Sequence, residues 1–275
     1  MTKGFLIFAY NNEEINYGLM AIWQARRIKK WLGKTTSLIT DRLTAESLNI
    51  LVPTWESDFD VIHYIDSNSI QKKRYVDRKL TFHNLNRIDA YKLSPYDETI
   101  VLDVDVIIQT SNLNKLWGHA EDLVVCDYSC DIFDRRSYEF EYVSEYSIKF
   151  FWATIFFFRK GDTAEIFFDH CKHVKDNYLW NKHVYNLQGG PLRNDFIWSI
   201  ALHTLGGSEN SSWVSTIPWN TPYSVPDDNI VSMTDNCVQI LSDKGISLVR
   251  GQDLHVMNKF DLMKAVNKEL GTNHE

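Results

Sequence analysis

The residues best suited to chemistry are two carboxylates, Asp103 and Asp105, inside the run Thr99-Ile100-Val101-Leu102-Asp103-Val104-Asp105-Val106-Ile107-Ile108. The rest of that run is apolar and mostly β-branched, the pattern of a strand buried in an α/β sheet. An ionised carboxylate is costly to bury without a compensating partner. Asp-x-Asp at a strand's end, aimed out of the sheet, is a compact way to hold a divalent cation through hard oxygens. The plain alternative is a pair of Asp at a strand-to-turn boundary, and the apolar residues that resume at Val106 argue against it. Two further groups fit the same site: His255 with Lys259, and Asp195. An imidazole is an acceptable further ligand for Mn²⁺ and a poorer one for Mg²⁺, so Asp103, Asp105 and His255 form a candidate set for Mn²⁺ or Mg²⁺. Taken alone, His255 reads as a structural histidine. Its value lies in the carboxylate pair elsewhere and in Lys259, four residues on, whose charge could neutralise a phosphate. Metal and lysine together would stabilise a departing diphosphate, which sugar transfer from a nucleotide-activated donor requires.

These groups need an α/β frame, and 275 residues with 44% apolar content suffice for one large domain. We read residues 1–275 as one catalytic domain, with a nucleotide-binding half (1–110) and an acceptor-binding half (111–275). A net charge of -7 gives no general attraction to nucleic acid, although a local basic patch remains compatible with it. The four cysteines, at 126, 130, 171 and 237, form no CxxC pair, which excludes a zinc ribbon or a disulfide framework and fits a reducing compartment. The first residues lack a secretory pattern, and no uncharged apolar run nears the roughly 20 residues of a membrane span. The expectation is a soluble cytoplasmic protein without a membrane partner.

Along the chain, residues 4–10 read as the first strand. Asn11 and Asn12 are suited to cap a following helix, with Glu13 and Glu14 in its first turn. Arg26, Arg27, Lys29 and Lys30 are the nearest thing here to a nucleic-acid patch but read more simply as the solvated basic end of a helix, and Gly33 stops it. Residues 35–40 form the second strand of a βαβ unit and end at Asp41. Ligands bind such sheets at the carboxyl ends of the strands, which brings Tyr10, Asn11 and Asp41 to one mouth. Asp41 either accepts hydrogen bonds from a base or ribose or caps the helix at 43–51. A third strand is expected at 59–65. The run Lys72, Lys73, Arg74, Arg78 and Lys79 reads as a solvated face or as phosphate or acceptor contacts. A helix at 79–93, carrying Arg87, Asp89 and Lys92, is stopped by Pro95. Beyond the acidic strand we expect a short helix at 113–117, strands at 123–128 and 150–159, and a loop over the site at 131–146. Helices are expected at 163–174 and 194–205, the second after a Gln188-Gly189-Gly190-Pro191 turn. The cluster Asp169 to His173 reads as a solvated helix face rather than a metal site. The last third, with Trp213, Pro218-Trp219-Asn220 and Pro222, reads as a lid or acceptor-side layer, with short strands at 238–241 and 246–249.

The layout resembles the GT-A fold of nucleotide-sugar glycosyltransferases, which pair an N-terminal βαβ nucleotide site with a central Asp-x-Asp strand. The stretch from Glu98 to Asp105 is similar to that of glycosyltransferase family 8, the glycogenin-like enzymes. There a hydrophobic strand after a Pro-containing turn ends in Leu-Asp-x-Asp. His255-Val256-Met257-Asn258-Lys259 resembles a truncated form of that family's His-x-x-Gly-x-x-Lys-Pro-Trp motif, with no Gly at 258, the Lys two residues early and no Pro-Trp. Trp152-Ala153-Thr154 departs from the family's Asn-x-Gly turn. The chain is also similar to small glycosyltransferase-like proteins of tailed phages. Shared with them are Lys3-Gly4-Phe5, Ser94-Pro95-Tyr96-x-x-Thr99-Ile100 and Asn194-Asp195-x-x-x-Ser199-Ile200-Ala201.

The resemblance implies an α/β fold of GT-A type, a Rossmann-like mixed central sheet flanked by helices, with a C-terminal acceptor-side or lid region. It implies a metal-dependent hexosyl- or pentosyltransferase using a nucleotide-sugar donor, such as a UDP-sugar. Asp103, Asp105 and His255 would hold the metal, and Arg87 and Lys92 would bind phosphate or position the sugar. Asp195 would deprotonate the acceptor hydroxyl or stabilise positive charge at the anomeric carbon, with family 8 pointing to retention. The acceptor is a hydroxyl, of a hydroxymethylated pyrimidine in DNA or of a small glycan. For DNA, Lys72–Arg74, Arg78, Lys79, Arg135 and Arg136 would grip a strand. Three other readings stay open. A haloacid-dehalogenase-like phosphatase shares Asp-x-Asp, with Asp227-Asp228 as its second pair, but its motif opens the fold. A sugar-1-phosphate nucleotidyltransferase needs a Gly-rich loop after the first strand, where Ala9-Tyr10-Asn11-Asn12-Glu13 has no glycine. The last is a non-catalytic sugar-binding module.

Overall fold

A computed structural model describes residues 1–65, 71–75, 78–82, 85–135, 141–145, 147–187, 192–207, 214–217, 221–226 and 228–272, with backbone alone at 71–75, 78–82, 85 and 86. The expected turn at 188–191, Trp213, residues 218–220, Arg136, Asp227 and the side chains of Lys72, Lys73, Arg74, Arg78 and Lys79 lie outside what it describes.

The first apolar run forms β1 (Lys3–Phe8). The next helix, α1 (Tyr17–Leu32), starts later than expected, with Asn16 as its cap accepting from the Leu19 N–H at 2.9 Å. Asn12 is spent on the loop before it, where its Oδ1 accepts from the N–H of Glu14 and Ile15. Asn11 does serve the helix start, its Oδ1 accepting from the first-turn N–H of Gly18 at 2.9 Å. Gly33 ends α1 in the left-handed region (φ 63°), as a C-terminal glycine should. Then come β2 (Thr35–Thr40), α2 (Arg42–Leu51) and a third strand shorter than expected, β3 (Ile62–Tyr64).

The expected helix at 79–93 is replaced by an antiparallel ribbon, β4 (Gln71–Tyr75) with β5 (Arg78–Phe82), a 3-10 turn at Leu85–Asp89 and a single helical turn, α3 (Ala90–Leu93). Leu80-Thr81-Phe82 are strand formers, and here they pair with 71–75 instead of continuing a helical stripe. Next are β6 (Glu98–Leu102) and β7 (Val106–Ile107). They are followed by β8 (Leu123–Cys126), β9 (Cys130–Asp131) and β10 (Trp152–Arg159). Helices α4 (Asp162–Asp176), α5 (Tyr178–Val184) and α6 (Asn194–Gly206) come next. The chain closes with β11 (Ser215–Thr216), β12 (Tyr223–Val225), β13 (Asn229–Thr234), β14 (Cys237–Ser242), β15 (Gly245–Val249), β16 (Leu254–Val256) and α7 (Lys259–Leu270).

The main sheet has the order β11-β8-β10-β6-β1-β2-β3. Strands β6, β1, β2 and β3 run parallel, while β10 is antiparallel to both β6 and β8, so the sheet is mixed. Its strands are apolar on both faces because helices cover both. Phe5, Ile7, Ile100, Phe156 and Phe157 are fully buried, each contributing roughly 1.5–3 kcal/mol relative to exposure. Against β10 sit α4 and α6, where Phe156, Phe167, Phe168 and Trp198 meet edge to face or tilted with ring centroids 5.0–6.1 Å apart. A second sheet, β7-β16-β12-β9, stands beside the first, and β13-β14-β15 form an antiparallel meander. No described helix is long and apolar enough to cross a membrane.

Candidate metal centre

The acidic run does not continue straight through the sheet as expected. β6 stops at Leu102, the backbone turns at Asp103-Val104-Asp105, and the apolar residues that follow enter the second sheet as β7. Asp103 N–H donates to Thr154 O of β10 at 3.0 Å, and Val106 N–H donates back to Asp103 O at 3.3 Å. The two carboxylates therefore sit where the chain crosses between sheets, at the carboxyl end of β6. Hydrophobic propensity carries the chain up to and away from this corner, and hydrogen bonds shape the corner itself.

The second sheet brings the distant histidine to them. β16 lies antiparallel to β7, with His255 opposite Val106 and Leu254 opposite Ile107. Val256 N–H donates to Asp105 O at 2.9 Å. His255 Nε2 then stands 3.4 Å from Asp105 Oδ1. Among the described residues, Asp103, Asp105 and His255 are the group with metal-ligand geometry, each offering a ligand atom within 4.8 Å of the others. Ligands about 2.1 Å from one ion lie up to about 4.2 Å apart, so at most a small contraction is needed. Asp105 is 4% exposed and its Oδ1 has no hydrogen-bond partner among the described residues. A buried carboxylate oxygen without a donor is costly, and a cation would satisfy it. The residues present therefore fit a divalent ion.

Two cations offset the carboxylates. Arg87, on the 3-10 turn before α3, pairs with Asp103, and its Nη1 donates to Ala153 O at 3.3 Å. Lys259, at the first position of α7, pairs with Asp105 Oδ2. Burial alone would push the Asp105 carboxyl up, but Lys259 and His255 outweigh it and hold it well below the usual carboxylate range. Burial lowers the Arg87 guanidinium, against the opposing fields of Asp105, Asp195 and Tyr17. Asp195 enters through β10. Its Oδ1 accepts from Ala153 N–H at 2.9 Å, and its Oδ2 accepts from Arg193 Nε at 2.9 Å. Ala153 and Thr154 thus hold Asp195, Arg87 and Asp103 on consecutive backbone groups.

The other expected site residues lie on neighbouring elements. Tyr10, Asn11 and Asp41 follow β1 and β2, which run parallel to β6, so all three share its carboxyl-end mouth. Asp41 is the α2 cap, accepting from Thr44 N–H at 2.7 Å, and Thr44 Oγ1 accepts from Asn11 N–H at 2.8 Å. Lys92 is exposed on α3. Arg135 is taken up by Asp131 and Asp228, with Nη2 2.6 Å from Asp228, instead of facing outward to grip a strand. His170 bonds Thr204 Oγ1 on the α4–α6 surface, in keeping with a helix face rather than a metal site.

The basic end of α1 is solvated as expected at Arg26, Lys29 and Lys30, the first pairing with Asp58 and the last with Asp235, whereas Arg27 is buried. Gln24 and Arg27 hydrogen-bond the backbone of β7 and the residue after it, and Asp253 accepts from Gln109 N–H, Thr110 N–H and Thr110 Oγ1 at 2.6–2.9 Å. None of these three stands out in the sequence. The one available signal is a Gln and an Arg set three apart on the otherwise buried stripe of α1.

No protein-family model matches the sequence, and no curated protein matches it. Solved structures do. The galactosyltransferase LgtC, solved with donor and acceptor sugar analogs, superposes with a TM-score of 0.54 at 12% identity, covering 99% of this chain and 96% of that one. The glycosyltransferase GlyE of Streptococcus pneumoniae matches over 78% of this chain and 45% of its own, at 14% identity and a TM-score of 0.44. With its mixed central sheet, flanking helices and Asp-x-Asp corner at the end of β6, the chain has the GT-A fold of glycosyltransferase structures.

Proposed function

We propose that the chain is a metal-dependent glycosyltransferase that moves a sugar from a nucleotide-diphosphate sugar to a hydroxyl acceptor. The observation that carries this reading is the joining of Asp103, Asp105 and His255 at the carboxyl end of β6, in a fold shared with a galactosyltransferase solved with donor and acceptor sugar analogs. Asp103, Asp105 and His255 would hold Mn²⁺ or Mg²⁺, which supplies positive charge to a leaving diphosphate.

The chain's own cations work on the same charge. Arg87 and Lys259 each neutralise one carboxylate of the pair, and both stand close enough to meet phosphate oxygens brought to it. Lys92, nearby in sequence and exposed, adds charge at the rim. Tyr10, Asn11 and Asp41, at the ends of β1 and β2, border the space for the nucleoside. For Asp195, both carboxylate oxygens already accept hydrogen bonds, from Ala153 N–H and from Arg193. Such a group is better suited to face positive charge developing at the anomeric carbon than to take a proton, which favours the retaining outcome. The donor is a UDP-sugar on the sequence resemblance. The acceptor is a hydroxyl of a modified pyrimidine in DNA or of a glycan.

The test is a thermal-shift screen of nucleotide sugars with Mn²⁺ and Mg²⁺, followed by mass spectrometry of acceptors that include hydroxymethylated DNA. A metal-dependent shift with one donor class and loss of turnover in Asp103→Ala and Asp105→Ala are expected. Metal-dependent turnover retained in both variants would end the proposal. Donor binding without any turnover would support a sugar-binding module instead.

A further inference from the structure

β7 is two residues long, yet both of its edges are occupied. One edge pairs with β16, so that His255 lies across from Val106. On the other, where a neighbouring strand would stand, two side chains of α1 take its place. Gln24 Nε2 donates to Val106 O at 2.8 Å, and Arg27 donates to Ile108 O from Nε at 2.9 Å and from Nη2 at 2.7 Å. Val106 and Ile108 are two apart, so their carbonyls point to one edge of the strand. Gln24 and Arg27 are three apart, so they lie on one face of the helix. Helix side chains thus complete a strand's hydrogen bonding.

The arrangement is costly. Gln24 is fully buried and Arg27 is 3% exposed. Burial lowers the Arg27 guanidinium, with Glu269, Asp235 and Asp253 opposing from a distance. Nη2 also donates to Asp235 O at 2.8 Å, Nη1 has no hydrogen-bond partner among the described residues, and the guanidinium carbon lies over the Trp23 ring, 4.9 Å from its centroid. Met20, Ala21, Trp23 and Ile28, three or four positions away on α1, are buried apolar residues, so the two polar side chains enter an otherwise apolar layer, at a cost that only their hydrogen bonds offset.

What the two polar side chains bring is the placement of one short segment. Val106, gripped by Gln24, follows Asp105 directly and faces His255. On the far side of Ile108, Asp253 clamps Gln109 and Thr110. We infer that Gln24 and Arg27 are positioning residues of the metal centre: by bonding the free edge of β7 they hold the Asp105 corner in register with β16, and so set the approach of Asp105 to His255. This rests on the metal reading given above. Metal ligation tolerates displacements of only about 0.2 Å, far less than the hydrophobic core around it.

Gln24→Met keeps the shape and removes the donor; Arg27→Lys keeps the charge and removes the fork. Ile28→Val, a fully buried neighbour on α1, serves as a control for loss of core packing. The measurements are Mn²⁺ affinity, from the free-ion electron paramagnetic resonance signal, and Tm without metal. Gln24→Met is expected to weaken Mn²⁺ binding about tenfold or more, Arg27→Lys to weaken it less, and Ile28→Val to leave it unchanged despite a lower Tm. A folded Gln24→Met protein with wild-type Mn²⁺ affinity, or an equal loss in Ile28→Val, overturns the inference. If Gln24→Met does not fold, Arg27→Lys decides: wild-type affinity there overturns it too. Wild-type protein that binds no Mn²⁺ overturns the metal reading, and this inference falls with it.

Discussion

The imidazole of His255 stands 3.4 Å from the Asp105 carboxylate because the next backbone group, Val256 N–H, is hydrogen-bonded to Asp105 O at 2.9 Å. One ladder rung thus carries a residue of the C-terminal segment to the acidic corner. Imidazole suits Mn²⁺ better than Mg²⁺. His255→Ala should therefore weaken Mn²⁺ binding by a factor on the order of 10² while changing Mg²⁺ binding much less. Calorimetric titration with each ion checks this, and an equal loss for both would remove His255 from the ligand set.

Arg87 and Asp103 make a second testable pair. Without metal, Arg87 is the cation beside Asp103. Removing it leaves a mostly buried carboxylate uncompensated, which costs about 3 kcal/mol. Arg87→Met should lower stability by that order, and added Mn²⁺ should raise its Tm more than it raises the wild type's. Chemical denaturation with and without Mn²⁺ measures both, and a smaller metal-induced rise in the variant would contradict the expectation.

Glu98 predicts a pH dependence. It opens β6 as a buried strand residue, between Lys3 of β1 and Arg159 of β10, and also accepts from Gly118 N–H at 2.9 Å. Burial pushes its carboxyl up, but Gly118, Lys3 and Arg159 together hold it below its ordinary value. A carboxylate with a depressed folded-state pKa adds stability that is present above the unfolded value, about 4.3, and is lost as pH falls through the folded value. Glu98→Gln should therefore be less stable than wild type at pH 7, with the gap closing as pH drops below about 4. Urea unfolding at pH 7 and pH 3.5 reads this, and a gap that is constant with pH would show that packing, not charge, is at stake.

Gly4 tests the packing at the amino end of β1, across the sheet from the mouth. A Cβ there would run into the Tyr96 ring, whose hydroxyl is tied to Ser37 Oγ at 2.8 Å. Gly4→Ala should destabilise by about 1–3 kcal/mol. A Tm equal to wild type would show that the ring can shift at no cost.

Much of the frame follows from local pattern. The apolar runs at β1, β2, β6 and β10, the glycine stop at Gly33, the Asp41 cap and the helices α4 and α6 are each dictated within a few residues, where periodicity and capping chemistry act. Asp103 and Asp105 could be singled out the same way, since two acids in an apolar run are anomalous wherever they occur, while His255 gained its meaning only from that pair and from Lys259 four residues on. Three things were decided only in three dimensions. Strand pairing across 71–82 overrode the helical reading, the acidic run broke between two sheets, and Gln24 and Arg27 were drawn inside as an edge for β7. Each depends on which distant backbone groups are left needing a hydrogen bond, and a residue's own neighbours in sequence do not say which those are.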